Sequence, residues 1–256
     1  MISVVTTCNR EGWEQTGRRM AQSFRLRWPA EIPLILYAEG FEPDVDGIEV
    51  RALPTWQAEF KARHRLRPNA NGNGGLRYDF RQDAVKFSHK VAALTDAGMA
   101  MQDGILIWLD ADTMTHEHVT RDWLDGLFRS DAALAWLDRT NCYPECGFVM
   151  FRCSHRAHHE LMTAFRGIYA SDEVFRLKET HDSFVLQHLV GDMVMRGLMP
   201  LPHSLSGEAR RWHHPFVGGP LGAKLDHMKG DRKNAGRSSR RDLMRPRAES
   251  YWREAR

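Results

Sequence analysis

The apolar run Ile105-Leu106-Ile107-Trp108-Leu109 stops abruptly at Asp110-Ala111-Asp112, and this junction limits the fold more tightly than any other stretch. Five consecutive apolar residues, rich in β-branched and aromatic side chains, read as a strand buried on both faces. Strands of that kind occur in α/β sheets, where ligands bind in the crevice beyond the carboxyl ends. Two carboxylates one residue apart therefore emerge where a ligand would sit. Paired hard oxygen donors suit Mg²⁺ or Mn²⁺, ions that usually accompany a diphosphate. The plainer alternative makes Asp112 a helix cap and Asp110 a solvated loop acid.

The flanking sequence alternates in the manner of an α/β domain. Ile2-Ser3-Val4-Val5-Thr6-Thr7 reads as an opening strand, and Trp13, Gly17, Met20, Phe24 and Trp28 recur at helical spacing. Pro33 to Tyr37 is a second strand, and Ile48, Val50 and Ala52 alternate in a third. This βαβ opening predicts parallel pairing with right-handed crossovers. Residues 54–78 are polar and basic, with the string Asn69-Ala70-Asn71-Gly72-Asn73-Gly74-Gly75, and read as an exposed, mobile insertion. A helix is expected from about Arg81 to Ala97, with Lys86, His89 and Lys90 sharing a face that is either solvated or aimed at phosphate. Strands follow at 132–137 and 147–151, and helices over about 155–169 and from 181 onward. The expected fold is α/β, a mixed but mainly parallel sheet flanked by helices. It divides into a core over 1–206 and a basic C-terminal segment over 207–256.

Charge supports that division. The chain of 256 residues carries +3 overall, but residues 207–256 hold 13 Lys and Arg against 6 Asp and Glu (+7), leaving 23 against 27 elsewhere (−4). A basic segment on a mildly acidic body points to an anionic ligand or partner, or to a solvated helix without one. The four cysteines are too few for a disulfide scaffold. Cys142, Cys146 and Cys153 lie near His155, His158 and His159, but without the spacing of a zinc ribbon or finger; reduced thiols packed around a strand are expected. With no apolar stretch of spanning length and no basic-then-apolar leader, the chain reads as cytoplasmic.

A second motif lies far downstream: His227-Met228-Lys229-Gly230-Asp231-Arg232-Lys233. Together with the Asp-x-Asp string, its His-x-x-Gly-x-x-Lys spacing resembles the family-8 retaining glycosyltransferases, which have a GT-A architecture and include glycogenin and a lipooligosaccharide galactosyltransferase. The sequence departs from that pattern after Lys233, where Asn234-Ala235 replaces the usual Pro-Trp. The resemblance implies a metal-dependent hexosyltransferase using a nucleoside-diphosphate sugar, by default a uridine diphosphate sugar, with Mn²⁺ or Mg²⁺. Asp110, Asp112 and His227 would be metal ligands. Gly230 and Lys233, helped by Lys229 or Arg232, would hold the diphosphate; Lys86 and Lys90 are further candidates for that role. Thr6, Thr7 and Asn9 end the first strand, where such a fold holds the nucleoside, although Thr7 or Asn9 could equally cap a helix. Glu145, in Tyr143-Pro144-Glu145-Cys146-Gly147, is an acceptor-side candidate. Asp182 is a candidate for contact with the donor sugar or reacting centre, with helix capping as its competitor. An inverting enzyme would use Asp182 or Glu145 as general base; a retaining one, towards which the motif leans, needs no strong base.

The acceptor stays open. Arginines interleaved with Trp212, Tyr251 and Trp252 suit a nucleic acid, such as a hydroxymethylated pyrimidine of bacteriophage DNA. The rival is a cell-surface or lipid-linked glycan, where the same tail would touch anionic headgroups. Two other classes also fit the carboxylate pair: a metal-dependent nucleotidyltransferase or phosphohydrolase, and a nucleic-acid-binding module with structural aspartates.

Overall fold

The computed structural model describes residues 1–207 and 215–228. The chain opens with β1 (Ile2–Asn9), α1 (Arg10–Gly12), a π-helical turn over Trp13–Gly17, α2 (Arg18–Arg27), β2 (Leu34–Glu39) and β3 (Glu49–Arg51). Next come α3 (Thr55–His64), α4 (Ala84–Ala100), β4 (Ile105–Leu109), β5 (Thr113–Thr115) and α5 (Arg121–Leu127). The second half holds β6 (Leu134–Arg139), β7 (Cys142–Arg152), α6 (His158–Ala170), α7 (Asp182–Met195), β8 (His203–Ser204), α8 (Pro215–Gly218) and β9 (Leu225–His227).

Seven strands form one sheet in the order β3-β2-β1-β4-β7-β6-β8. Pairing is parallel throughout except on the two sides of β7, which runs against both β4 and β6. This is the mixed, mainly parallel α/β sheet that the alternation of elements predicts. Val5, Leu106, Trp108 and Val149 point to one face, where they pack with residues of α4, α6 and α7. Val4, Ile107, Leu109 and Phe148 point to the other, towards α2, α5 and α8. The central strands are thus covered on both sides, as their unbroken apolar runs require. Truncating a side chain such as Phe148, fully buried, to alanine costs about 3–5 kcal/mol.

Two features differ from the sequence reading. The 54–78 insertion is not wholly loop, because α3 occupies its first half, with Trp56 and Phe60 buried against the core. Its weak pattern hid it: the buried positions of α3 also include Gln57 and His64. The helix expected from Arg81 begins only at Ala84, because Asp83 caps it by accepting from the Lys86 N–H.

A small second sheet matters most for function. β5 pairs antiparallel with β9, placing Thr113 opposite His227. Met228 N donates to Asp112 O at 2.8 Å, extending the pairing. Leu225, Phe216 and Leu221 anchor this return strand in the core. On its other side β5 is tied to α2, where Ser23 Oγ accepts from Thr115 N and Trp28 Nε1 donates to Thr115 Oγ1.

Candidate active site

The site forms at the carboxyl end of β4. Asp110 N donates to Gly147 O at 2.9 Å and Asp110 O accepts from Thr113 N at 3.0 Å, which turns the chain sharply into β5. A register slip in β7 makes room for this. Val149 faces Trp136, yet Glu145 faces Leu137, so Cys146, Gly147 and Phe148 lie in a bulge on the β6 side. Bulges re-aim backbone groups near functional sites, and here the freed carbonyls of Cys146 and Gly147 turn towards β4 and α4.

Asp110, Asp112 and His227 meet at this point. One ligand atom from each lies within 4.8 Å of the other two. His227 Nε2 is 2.9 Å from Asp112 Oδ1 and 3.7 Å from Asp110 Oδ2. Glu145 stands behind the ring, its Oε1 3.7 Å from Nδ1. Gly147 permits the approach, because a Cβ there would come within 2.8 Å of His227 Cε1 and 2.9 Å of Nδ1. Phe216 covers the imidazole, with ring centroids 5.4 Å apart. Burial works against a charged His227, but the carboxylates of Asp112, Glu145 and Asp110 outweigh it and hold the imidazolium above its ordinary range. Two carboxylate oxygens and an imidazole nitrogen, backed by a third carboxylate, are a donor set that fits a divalent ion. Cation and proton compete for the same nitrogen.

Lys90 organises the other side. Its ammonium lies 3.0 Å from Asp110 Oδ1 and 2.7 Å from Asp182 Oδ2, and it donates to Cys146 O at 2.6 Å. Trp108 Nε1 also donates to Asp110 Oδ1, at 2.6 Å, and the Lys90 ammonium sits 4.7 Å from the Trp108 ring centroid. Asp110 thus presents one oxygen to Lys90 and Trp108 and the other to His227. Burial opposes the Lys90 charge, but Asp110 and Asp182 outweigh it and raise its pKa. With three N–H groups committed inside the protein, Lys90 ties Asp110 to Asp182 and has no proton left to donate to a phosphate. That differs from the phosphate contact the sequence suggests.

The remaining candidates divide. Asp182 is the first residue of α7 but does not cap it; His181 holds the cap position and Asp182 turns to Lys90. Glu145 is buried behind His227. Lys86 is exposed, about 5.9 Å from the ring centroids of Tyr78 and Phe87. Asn9 caps α1 by accepting from Gly12 N at 2.7 Å. Thr7 Oγ1 donates to Tyr37 O at 2.7 Å, and Thr6 is fully buried. Lys229, Gly230, Arg232, Lys233 and the aromatic residues of the basic tail lie outside the described residues. All four cysteines are free, and burial pushes the Cys146 thiol up to about 12, which leaves it inert. Among the described residues, the cysteines and histidines near 142–159 form no ligand cluster.

Sequence reasoning missed two polar groupings. Glu39, at the end of β2, accepts from Thr7 Oγ1 at 3.2 Å and pairs with His89 Nδ1. Glu179 accepts from Tyr143 Oη at 2.6 Å and lies 3.0 Å from His181 Nε2. His89 was visible on its helical face, but its partner lies fifty residues away and carries no motif. Tyr143 and His181 flank residues that were singled out, and nothing local links either to Glu179.

No protein-family model matches the chain, and no curated protein matches it. Among solved structures, the chain is similar to mouse xyloside xylosyltransferase 1, at 10% identity over 80% of this chain and 86% of that one, with a TM-score of 0.46. It is also similar to an active-site mutant of LgtC, at 15% identity over 73% and 69% of the two chains, again with a TM-score of 0.46. At such values, what the site can do follows from this chain's own residues.

Proposed function

We propose that this chain is a metal-dependent glycosyltransferase that moves a sugar from a nucleoside-diphosphate donor to an acceptor hydroxyl. One observation carries the reading: Asp110, Asp112 and His227, up to 117 positions apart in sequence, bring three ligand atoms within 4.8 Å at the carboxyl end of a central strand. When bound there, a divalent cation supplies charge stabilisation to a departing diphosphate. Asp110 and Asp112 would contribute oxygens and His227 a nitrogen, with the Glu145 carboxylate 3.7 Å behind the ring. Lys90 holds Asp182 at a fixed remove from the ligand cluster, where it serves as the contact to the donor sugar. The Asp182 carboxylate is engaged by the Lys90 ammonium at 2.7 Å and so is not placed to reach an acceptor hydroxyl as general base, which favours retention of configuration over a base-assisted inversion. Uridine diphosphate sugars and Mn²⁺ are the first donors and ion to try.

The test is a hydrolysis screen across nucleotide sugars with Mn²⁺ or Mg²⁺, comparing the native chain with Asp112→Ala and His227→Ala. Slow release of free nucleoside diphosphate by the native chain, lost in both variants and on chelation, supports the reading. Release of pyrophosphate or inorganic phosphate instead would make the chain a nucleotidyltransferase or phosphohydrolase. The anomer of the released or transferred sugar, read by NMR before mutarotation, tests retention.

A further inference from the structure

The stretch 61–81 carries Lys61, Arg63, Arg65, Arg67, Arg77 and Arg81 against a single acid, Asp79. It is a built loop. Beyond α3, Asn71 Nδ2 donates to His64 O at 2.8 Å and to Arg67 O at 2.7 Å, and Asn73 N donates to Pro68 O at 2.9 Å. Gly72 N donates to Gln82 O at 3.1 Å and Gly72 O accepts from Asp79 N at 2.8 Å, which closes the loop on itself. Gly74 is packed so closely on Asn69 that a Cβ would collide with its Oδ1. Gln82 Nε2 donates to Lys178 O at 2.9 Å and Arg81 O accepts from Thr180 N at 2.7 Å, fastening the loop to the body. A loop so fixed nonetheless presents large apolar side chains to water. Leu76 is fully exposed, Leu66 is 84% exposed, Tyr78 53% and Phe80 51%. Lone exposed apolar residues are ordinary; four of them between positions 66 and 80 mark a surface that something covers.

We infer that this loop docks on an anionic lipid bilayer, its leucines and rings entering the headgroup region while the basic side chains meet lipid phosphates. Apolar side chains that bury at a membrane surface, with Lys and Arg held at the headgroups, are the pattern of interfacial binding. The charge balance supports it. Arg63 is met by Asp172 at 3.0 Å and Arg81 by Asp79 at 2.7 Å, so these two add little. Lys61, Arg65, Arg67 and Arg77 are exposed and pair with no carboxylate among the described residues. Of the nearby acids, Asp83 and Glu179 are buried and accept from Tyr78 and Tyr143, and Glu173 lies 3.9 Å from Arg176. Glu59 is exposed, and Lys178 offsets it. Charge and shape together then choose the occupant. A nucleic acid would use the arginines and rings but gains nothing from exposed leucines. A second copy of this chain would set one basic loop against another. A bilayer containing anionic lipid satisfies both halves of the surface. The inference stands apart from the sugar-transfer reading, since it uses none of the ligand-cluster residues.

Co-sedimentation of the full chain with extruded vesicles tests this, comparing phosphatidylcholine alone with phosphatidylcholine containing about three parts in ten of phosphatidylglycerol. The native chain should bind the anionic vesicles in preference to the neutral ones, and added salt should weaken that binding. Leu66→Ser combined with Leu76→Ser should lower the vesicle partition roughly tenfold or more, whereas Leu66→Phe combined with Leu76→Phe should keep it near the native value. Arg65→Glu combined with Arg77→Glu should also lower it roughly tenfold or more. Leu201→Ser, at an exposed position beside the edge strand β8, should leave it unaltered. All of these positions are exposed, and far-UV circular dichroism checks that each variant keeps the native fold. Absence of binding to anionic vesicles would overturn the inference. So would binding that the two leucine changes leave intact, which would assign it to another basic part of the chain. A thymidine oligonucleotide that outcompetes the vesicles, and whose binding falls with the arginine changes but not with the serine changes, would make the loop a nucleic-acid surface instead.

Discussion

The ends of β1 and β4 are neighbours in the sheet and both carry polar residues, yet they treat them oppositely. At the end of β1, Thr7 donates to Tyr37 O and Glu39, and Asn9 caps α1. Thr7 and Asn9 thus spend their polar groups on protein partners. At the end of β4, Asp110, Asp112 and Glu145 crowd a single imidazole, with Lys90 engaging only one oxygen of Asp110. Like charges at close range are unfavourable unless something compensates. The comparison teaches that residue type alone does not mark a site. The convergence of several carboxylates and an imidazole on one point does so more clearly.

The strongest way to break this contrast is to remove one donor. Asp112→Ala or His227→Ala should lower metal-dependent donor hydrolysis at least a hundredfold and abolish thermal stabilisation by Mn²⁺, read by calorimetry with and without the ion. Retained Mn²⁺ stabilisation in both variants would end the metal reading. Gly147→Ala comes next: a methyl pressed onto the His227 ring should weaken Mn²⁺ at least tenfold, as titration calorimetry would show, while far-UV circular dichroism stays native. Lys90→Met leaves Asp110 and Asp182 without their ammonium and should cost about 3 kcal/mol in urea unfolding. A smaller effect belongs to Asn9→Ala, about 1 kcal/mol for a lost cap. A tenfold rise in donor KM on top of that would show that the β1 end also touches the nucleoside, and the contrast would soften.

The smallest effect concerns pH, away from the site. His158 is buried and its Nε2 meets Gly98 O at 2.9 Å. Burial lowers its pKa first and foremost, with His159 and His155 nearby pushing the same way and the Gly98 carbonyl opposing. A depressed folded pKa means the contribution is whole above the unfolded value, about 6.5, and fades as pH falls below it. Unfolding free energy should therefore drop between pH 7 and pH 5 by less in His158→Gln than in the native chain, as parallel urea titrations would show.

Much of this was legible because local pattern and global role agree. The run Ile105–Leu109 had to be an interior strand, so the carboxylates after it had to face the crevice. The His-x-x-Gly-x-x-Lys spacing then pointed to His227, the one distant donor with a motif of its own. What stayed hidden depends on approach in space. Nothing near Lys90 in sequence says that its three N–H groups go to Asp110, Asp182 and Cys146 O. The β7 bulge that opens this space arises from a mismatch between two strands and so cannot be read from either alone. The helix α3 was obscured by its mixed buried face, and β9 is too short to announce itself.

The pairing of β5 with β9 has a consequence for biosynthesis. His227 arrives on the ribosome more than a hundred residues after Asp112, so a nascent chain can build the main sheet while its ion cradle still lacks one wall. Docking of that late strand beside Thr113 completes the cradle. On the metal reading proposed above, a product released before residue 227 would lack the imidazole donor and so the complete cradle.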